Sequence, residues 1–224
     1  HRWATFTDGK TSLPSASDKT DVLFETQPRY WVSKSEVMNR LEAKGWQKNW
    51  LITFRNISDS RNERTFVSAI IPLSGLGNSG SAISIGENRI TQSLALLANL
   101  NSVVLDYVAK QKIPGTNVNY FLVEQFPIIS PDSYSLEETQ FLNQRVIELT
   151  YTNIELKDFA ADFECFDEPF VWNENRRATL RAELDAFFVK KYKLSRSDLS
   201  FILEPQSVMG EEYPSETFRV LKSN

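Results

Sequence analysis

With 224 residues, 41% hydrophobic and 24% charged, the chain is long enough for a packed core and too balanced for general disorder. Its single cysteine, Cys165, excludes an internal disulfide, and its single histidine, His1, excludes a multi-histidine metal site. The net charge of −4 is unevenly spread, with 14 Lys and Arg against 11 Asp and Glu in residues 1–130 and 11 against 18 in residues 131–224, so the basic surplus lies in the first part and a local basic face stays possible.

Residues 1–27 are polar and turn-rich, with Asp8-Gly9 and Pro14, and read as an irregular lead-in. Ser33 and Glu36 have the spacing of a capping box before Val37, Met38 and Leu41, which predicts a helix start. The β-branched and aromatic runs Trp50–Phe54 and Thr65–Ile71 predict strands, and Ala82–Ile85 a shorter one. Leu94, Leu97, Leu100, Val104, Leu105 and Val108 recur at helical spacing, which predicts one helix over Thr91–Lys112, ended by Pro114-Gly115. Asn119–Val123 is strand-like or the start of another helix. Helices are expected over 136–150, 155–163 and 174–192, with Ser195 and Asp198 opening a last one. The prolines at 127 and 131 coincide with the change in charge and mark the expected boundary between residues 1–130 and 131–224.

No run approaches the roughly 18 apolar residues of a membrane span, and no charged-then-apolar leader is visible, so a cytoplasmic setting without a membrane partner is expected. A start at His1 rather than Met leads us to expect a piece of a longer protein. Three local patterns invite functional readings. Gly75-Leu-Gly-Asn-Ser-Gly80 matches a dinucleotide-binding fingerprint and follows a strand, but the strand-like Ser81–Ile85 comes next where a phosphate-binding helix is required. Asp132, Glu155 and Lys157 match the written form of a metal-dependent nuclease core, yet Glu155 and Lys157 fall in a helical stretch, where positions two apart do not share a face. Residues 186–203 can be drawn as a helix-turn-helix, but Phe187, Phe188 and Tyr192 suit a core-packed αα-hairpin better. Cys165, between Phe163 and Phe166, reads as a small buried hydrophobe.

Segments distributed over nearly the whole chain resemble the C-terminal region of large adenine-specific DNA methyltransferases of restriction–modification and phage-defence systems. They include His1–Phe6, Pro28–Val32, Trp50–Ile57, Asn62–Thr65, Leu96–Lys112, Gly115–Pro127, Arg177–Ala186 and Met209–Arg219. The helix, the Gly115-Thr-Asn117 turn and the closing Pro127–Pro131 also resemble the way target-recognition domains end in type I specificity subunits. The resemblance implies an α+β fold: a recognition domain over 1–130 with a mixed or antiparallel sheet and a long helix, then a mainly helical segment over 131–224. It further implies double-stranded DNA as partner, and a separate methyltransferase domain on the same native chain that binds S-adenosylmethionine and carries an Asn/Asp-Pro-Pro-Tyr/Phe motif. That motif is absent here, so neither a catalytic residue nor a cofactor is expected in this piece.

The residue types suit reading of a duplex, which needs cations for phosphates and planar bidentate groups for base edges. The connection after Trp50–Phe54 supplies Arg55, Asn56, Arg61, Asn62 and Arg64; the end of the long helix supplies Lys110, Lys112, Thr116, Asn117 and Asn119. The glycine-rich Gly75–Gly80 loop is a third contact candidate. The bland alternative for each is structural: Arg55 and Arg64 as ion-pair residues, Asn117 and Asn119 as turn residues. A nuclease built on Asp132, Glu155 and Lys157, or a protein-interaction module of a defence complex, are the competing functions.

Overall fold

Near the N-terminus, Asp8 and Gly9 both take positive φ (53° and 77°), the pair of conformations a two-residue type I′ turn requires. They close a hairpin of β1 (Thr5–Thr7) and β2 (Lys10–Ser12), followed by the short helix α1 (Ala16–Thr20) under a Ser15–Asp18 capping box. The lead-in is therefore more ordered than its polar composition suggests, because the Asp-Gly turn sets the register of so short a pair. The computed structural model describes residues 4–58, 62, 64–113 and 115–203. Asn153, fully buried, fastens the lead-in to the rest by donating to Phe24 O at 2.9 Å.

Helix α2 (Lys34–Glu42) starts where expected, but without the capping box. The Ser33 hydroxyl lies 2.7 Å from that of Ser35, and Glu36 faces Arg40 one turn on. A three-stranded antiparallel sheet follows, made of β3 (Trp50–Arg55), β4 (Ser68–Pro72) and β5 (Gly80–Ile83) with β3 in the centre; Ile52 stands opposite Ile70 on one side and Ile83 on the other. β3 is buried on both faces, which is why its sequence does not alternate; its polar member Thr53 is buried with its hydroxyl donating to Ala69 O at 3.3 Å. β4 begins later than the run from Thr65 predicts, since Phe66 N–H is drawn away from the sheet to the Asp106 carboxylate at 2.8 Å.

The single helix expected over Thr91–Lys112 is a 3-10 turn (Glu87–Gln92) and two helices, α3 (Ser93–Leu100) and α4 (Val103–Lys112). Ser102 breaks it: its backbone is extended (φ −72°, ψ 149°) and its hydroxyl accepts from Leu105 N–H as a new N-cap. Asn101, freed from the helix, clamps the edge strand, its amide accepting from Ser68 N–H at 3.1 Å and donating to Ser68 O at 3.0 Å. Apolar spacing runs straight across the break, so periodicity alone could not show it. The ambiguous Asn119–Val123 segment is helical, α5 (Tyr120–Val123).

The remaining described chain is helical: a 3-10 turn (Pro131–Ser133), α6 (Leu136–Thr150), a second 3-10 turn (Ile154–Leu156), α7 (Lys157–Asp162), α8 (Glu174–Lys191) and α9 (Arg196–Ile202). Capping boxes at Ser135–Glu138 and Ser195–Asp198 start α6 and α9. The fold is thus α+β, with the helical segment packed directly on the sheet. One core cluster joins Trp50, Ile52, Ile70 and Leu94 to Leu142, Val146, Phe159 and Phe188 from beyond residue 130. Trp50 sits edge-on to Trp46 and Phe159, and its indole N–H reaches Asp162 at 2.7 Å. The helix-turn-helix drawing resolves as packing: Phe188 is fully buried, and the Tyr192 hydroxyl accepts from Asn99 and donates to Pro127 O, both at 2.8 Å. No helix among the described residues is long and apolar enough to cross a membrane.

A second cluster, of Phe54, Phe66, Leu105, Ala109, Val118, Leu122 and Phe126, lies wholly within residues 54–126. Asp185 of α8 holds this unit to the helical layer. Its buried carboxylate accepts from Arg64 at 2.7 Å and, at 2.6 Å, from Val103 N–H, the first of α4, where a helix leaves its amides unsatisfied. Removing one partner of such a pair strands the other charge, at a cost of about 3–5 kcal/mol. Asp185→Ala is therefore expected to lower the unfolding free energy by about 3 kcal/mol in urea titrations; a change under about 1 kcal/mol would show that the pair contributes little.

Candidate nucleic-acid interface

The two polar clusters lie sixty residues apart in sequence and meet in space. Beyond β3 the chain makes an isolated antiparallel bridge in which Ile57 stands opposite Asn117. Two bonds hold it, Ser58 N–H to Thr116 O at 2.8 Å and Val118 N–H to Asn56 O at 2.7 Å. In this arrangement the bridged residues are a non-hydrogen-bonded pair, so their side chains lie close together on one face. Their neighbours alternate to the other side: Val118 and Ser58 are buried, and Asn56 has its Oδ1 buried without a hydrogen-bond partner among the described residues.

The glycine-rich loop arrives at the same place. Gly80 is opposite Arg55 in the β3–β5 register, and Asn56 N–H donates to Ser79 O at 3.0 Å. Gly75 packs against Val32, so closely that a Cβ there would collide with the valine side chain. The loop leads directly into β5 and offers no helix N-terminus, so it does not fit a nucleotide or S-adenosylmethionine phosphate or carboxylate cradle.

The expected contact residues divide accordingly. Asn62, Lys112, Thr116, Asn117 and Asn119 are exposed, and Lys112 lies 3.5 Å from Gln125. Arg55 is half-buried, with Nη2 at 3.4 Å from both Ser58 Oγ and Arg64 O, and its Nε buried without a partner among the described residues. Arg64 and Lys110 serve the framework: Arg64 is held by Asp185, and Lys110 lies 3.5 Å from Asp106, one turn back in α4. Arg61 lies outside the described residues, as does the Met209–Arg219 segment.

Sequence reading passed over Ile57, Tyr120 and Phe121, each at least half exposed. Their signal was present but faint: Leu122 and Phe126, four apart, claim the core face of the turn at α5 and leave Tyr120 and Phe121 outside. Tyr120 is steadied by an edge-to-face contact with Phe54 at 5.6 Å. Of the residues suggesting a nuclease, Asp132 accepts from Gln92 in the first 3-10 turn after residue 130, Glu155 lies in the next one, and Lys157 begins α7. Among the described residues no three His, Cys, Asp or Glu side chains cluster as a metal site would require. No family model matches the chain, and no curated protein or solved structure is significantly similar to it.

Asp106 lies beneath this surface. Burial pushes its carboxyl above the ordinary aspartate value, while Arg64, Lys110 and the N–H groups of Phe66 and Thr65 pull it back. Because the folded state then holds the proton more firmly than the unfolded chain, the associated stability is complete below the unfolded value of 3.8 and lost as pH rises through the folded one. Asp106→Asn, which has no such proton to release, is expected to gain stability relative to the wild type as pH rises above 3.8, followed as urea midpoints. A wild type that gains instead would reverse the assigned direction.

Proposed function

We propose that this chain reads a specific sequence in double-stranded DNA for an adenine-specific methyltransferase of a restriction–modification or phage-defence system. Transfer of the methyl group from S-adenosylmethionine then belongs to a catalytic domain elsewhere on the native chain. The observation that carries the reading is the Ile57–Asn117 bridge, which gathers the Arg55 connection, the Lys112–Asn119 turn and the glycine-rich loop at one end of the sheet. Exposed amides offer the paired donor and acceptor that match adenine in the major groove, and Lys112 offers a phosphate contact. Arg64 is left out of the reading set because Asp185 already engages it. The acidic surplus of residues 131–224 keeps non-specific phosphate binding weak, so affinity is expected to concentrate on the right sequence and at low salt.

Selection from a random duplex pool by the 224-residue chain is expected to enrich one short motif. On that motif, Asn117→Ala should weaken binding by about 1–3 kcal/mol and relax preference at one base pair. Lys112→Ala should weaken binding to all sequences alike and reduce the slope of log K against log salt by about 1. A pool that stays random and duplex that is ignored at low salt would remove the reading and favour a protein-interaction module, for which the exposed Tyr30-Trp31-Val32 strip would be the natural surface.

A further inference from the structure

Arg55 ends β3 with a charge that no carboxylate among the described residues neutralises. Its guanidinium makes two contacts, from Nη2 to Ser58 Oγ and to Arg64 O, both to uncharged oxygens and both at 3.4 Å, beyond the usual range of an N–H···O bond. The buried Nε has no partner among the described residues. The two buried acids of this region are engaged by other cations, Asp185 by Arg64 at 2.7 Å and Asp106 by Lys110 at 3.5 Å. Three cations therefore share two carboxylates, and Arg55 is the one left over. A half-buried charge of this kind is costly unless an opposite charge meets it. We propose that Arg55 forms a site for one phosphate of the DNA backbone, which supplies the negative charge that the folded chain does not. This rests on the DNA reading above and deepens it: Arg55 grips the backbone whatever the sequence, and the reading of bases falls to the exposed amides.

The surroundings leave room for such a group and hold the arginine in place. In the β3–β5 register the residue opposite Arg55 is Gly80, and cross-strand partners share a face of the sheet. A Cβ built on Gly80 would meet only Leu76 Cδ2, at 3.7 Å, so no side chain crowds that flank of Arg55. The arginine backbone belongs to the central strand, and its N–H donates to Val67 O at 3.0 Å, which fixes where the side chain starts. The polar network beneath it is unfinished. Ser58 Oγ, one contact of Arg55, donates to Thr65 O, yet the fully buried Thr65 hydroxyl has no partner among the described residues. Buried polar groups nearly always find a partner, so two such donors, Thr65 Oγ1 and Arg55 Nε, around one uncompensated guanidinium mark a ligand site rather than ordinary packing. The planar fork of a guanidinium matches the paired oxygens of a phosphate better than an ammonium does.

The test compares the 224-residue wild type with Arg55→Met, which keeps the apolar stem, and Gly80→Glu, which sets a carboxylate opposite Arg55 at a position whose φ is not positive. In sodium chloride both variants are expected to melt no lower than the wild type, because each removes or answers the uncompensated charge. In sodium phosphate of equal ionic strength the wild type should gain melting temperature over both variants, as ligand binding to the folded state requires. On duplex, Arg55→Met should weaken binding to every sequence by about tenfold and reduce the slope of log K against log salt by about 1. An equal gain from phosphate in all three proteins with an unchanged salt slope overturns the site, and a motif still selected from the random pool leaves the DNA reading intact. Arg55→Met melting well below the wild type in chloride makes Arg55 a framework residue and likewise overturns the site. A loss in Arg55→Met confined to one base pair makes it a base reader instead and overturns the phosphate assignment. A phosphate gain confined to the wild type, with duplex ignored at low salt, overturns the DNA reading and the assignment of that phosphate to DNA.

Discussion

The carboxylate of Asp185 sits where three parts of the chain come together. One oxygen receives the guanidinium of Arg64 from the connection leading into β4, and the other receives the first free amide of α4. A buried acid in such a place is tolerable only because both oxygens are engaged, one by a full positive charge and the other at the positive end of a helix. Through this carboxylate, α8 sets the direction in which α4 leaves the break at Ser102. The end of α4 in turn decides where the Thr116–Asn119 turn falls. The candidate interface thus depends on a residue of the helical layer that contacts none of its exposed groups.

The break between α3 and α4 works in concert with that ion pair. Asn99, Asn101 and Ser102 are in or beside the break; Ser102 caps α4, and the amides of Asn99 and Asn101 reach partners far along the chain. Asn99 receives Ile129 N–H and donates to Tyr192, while Asn101 holds Ser68. Buried amides like these are stabilising when fully satisfied and costly when not, so they favour one arrangement of strand, helix and linker over all others. A surface mounted on such a frame has little ordering left to do when it meets a ligand, and that is the condition under which a few polar contacts can discriminate between sequences.

Electrostatics divide the molecule by role. Most carboxylates of the helical segment that have described partners meet cations within the protein itself: Glu138 meets Lys191, Glu148 meets Arg176 and Glu183 meets Arg145. Of the cations in the first part, Arg64 and Lys110 are likewise committed to Asp185 and Asp106. What remains exposed at the candidate interface is mostly amide, hydroxyl and aromatic. Such a surface is poor at holding any nucleic acid by charge alone and better suited to reading groups presented at close range.

The boundaries of α6 and α8, the existence of three core strands and the α+β class are legible in the sequence because they follow from local properties: caps at Ser135 and Asn173, apolar spacing, β-branched runs. The same holds for the chemical character of Arg55–Arg64 and Lys110–Asn119. Where these groups lie relative to one another is a different matter. The partition of the cations into Arg64 and Lys110 for the framework and Lys112 for the surface depends on carboxylates 121 residues away in one case and four in the other. The helix break hides under an unbroken apolar period, and the outward turn of Tyr120 and Phe121 depends on which side Phe54 and Leu122 occupy. Sequence by itself determined the three strands of the central sheet, α6 and α8, and the chemistry they carry, since hydrogen bonding and side-chain spacing act over a few residues. Only the tertiary structure decided which polar groups face solvent together, since that depends on long-range pairings, Ile57 with Asn117 and Arg64 with Asp185, that no local pattern encodes.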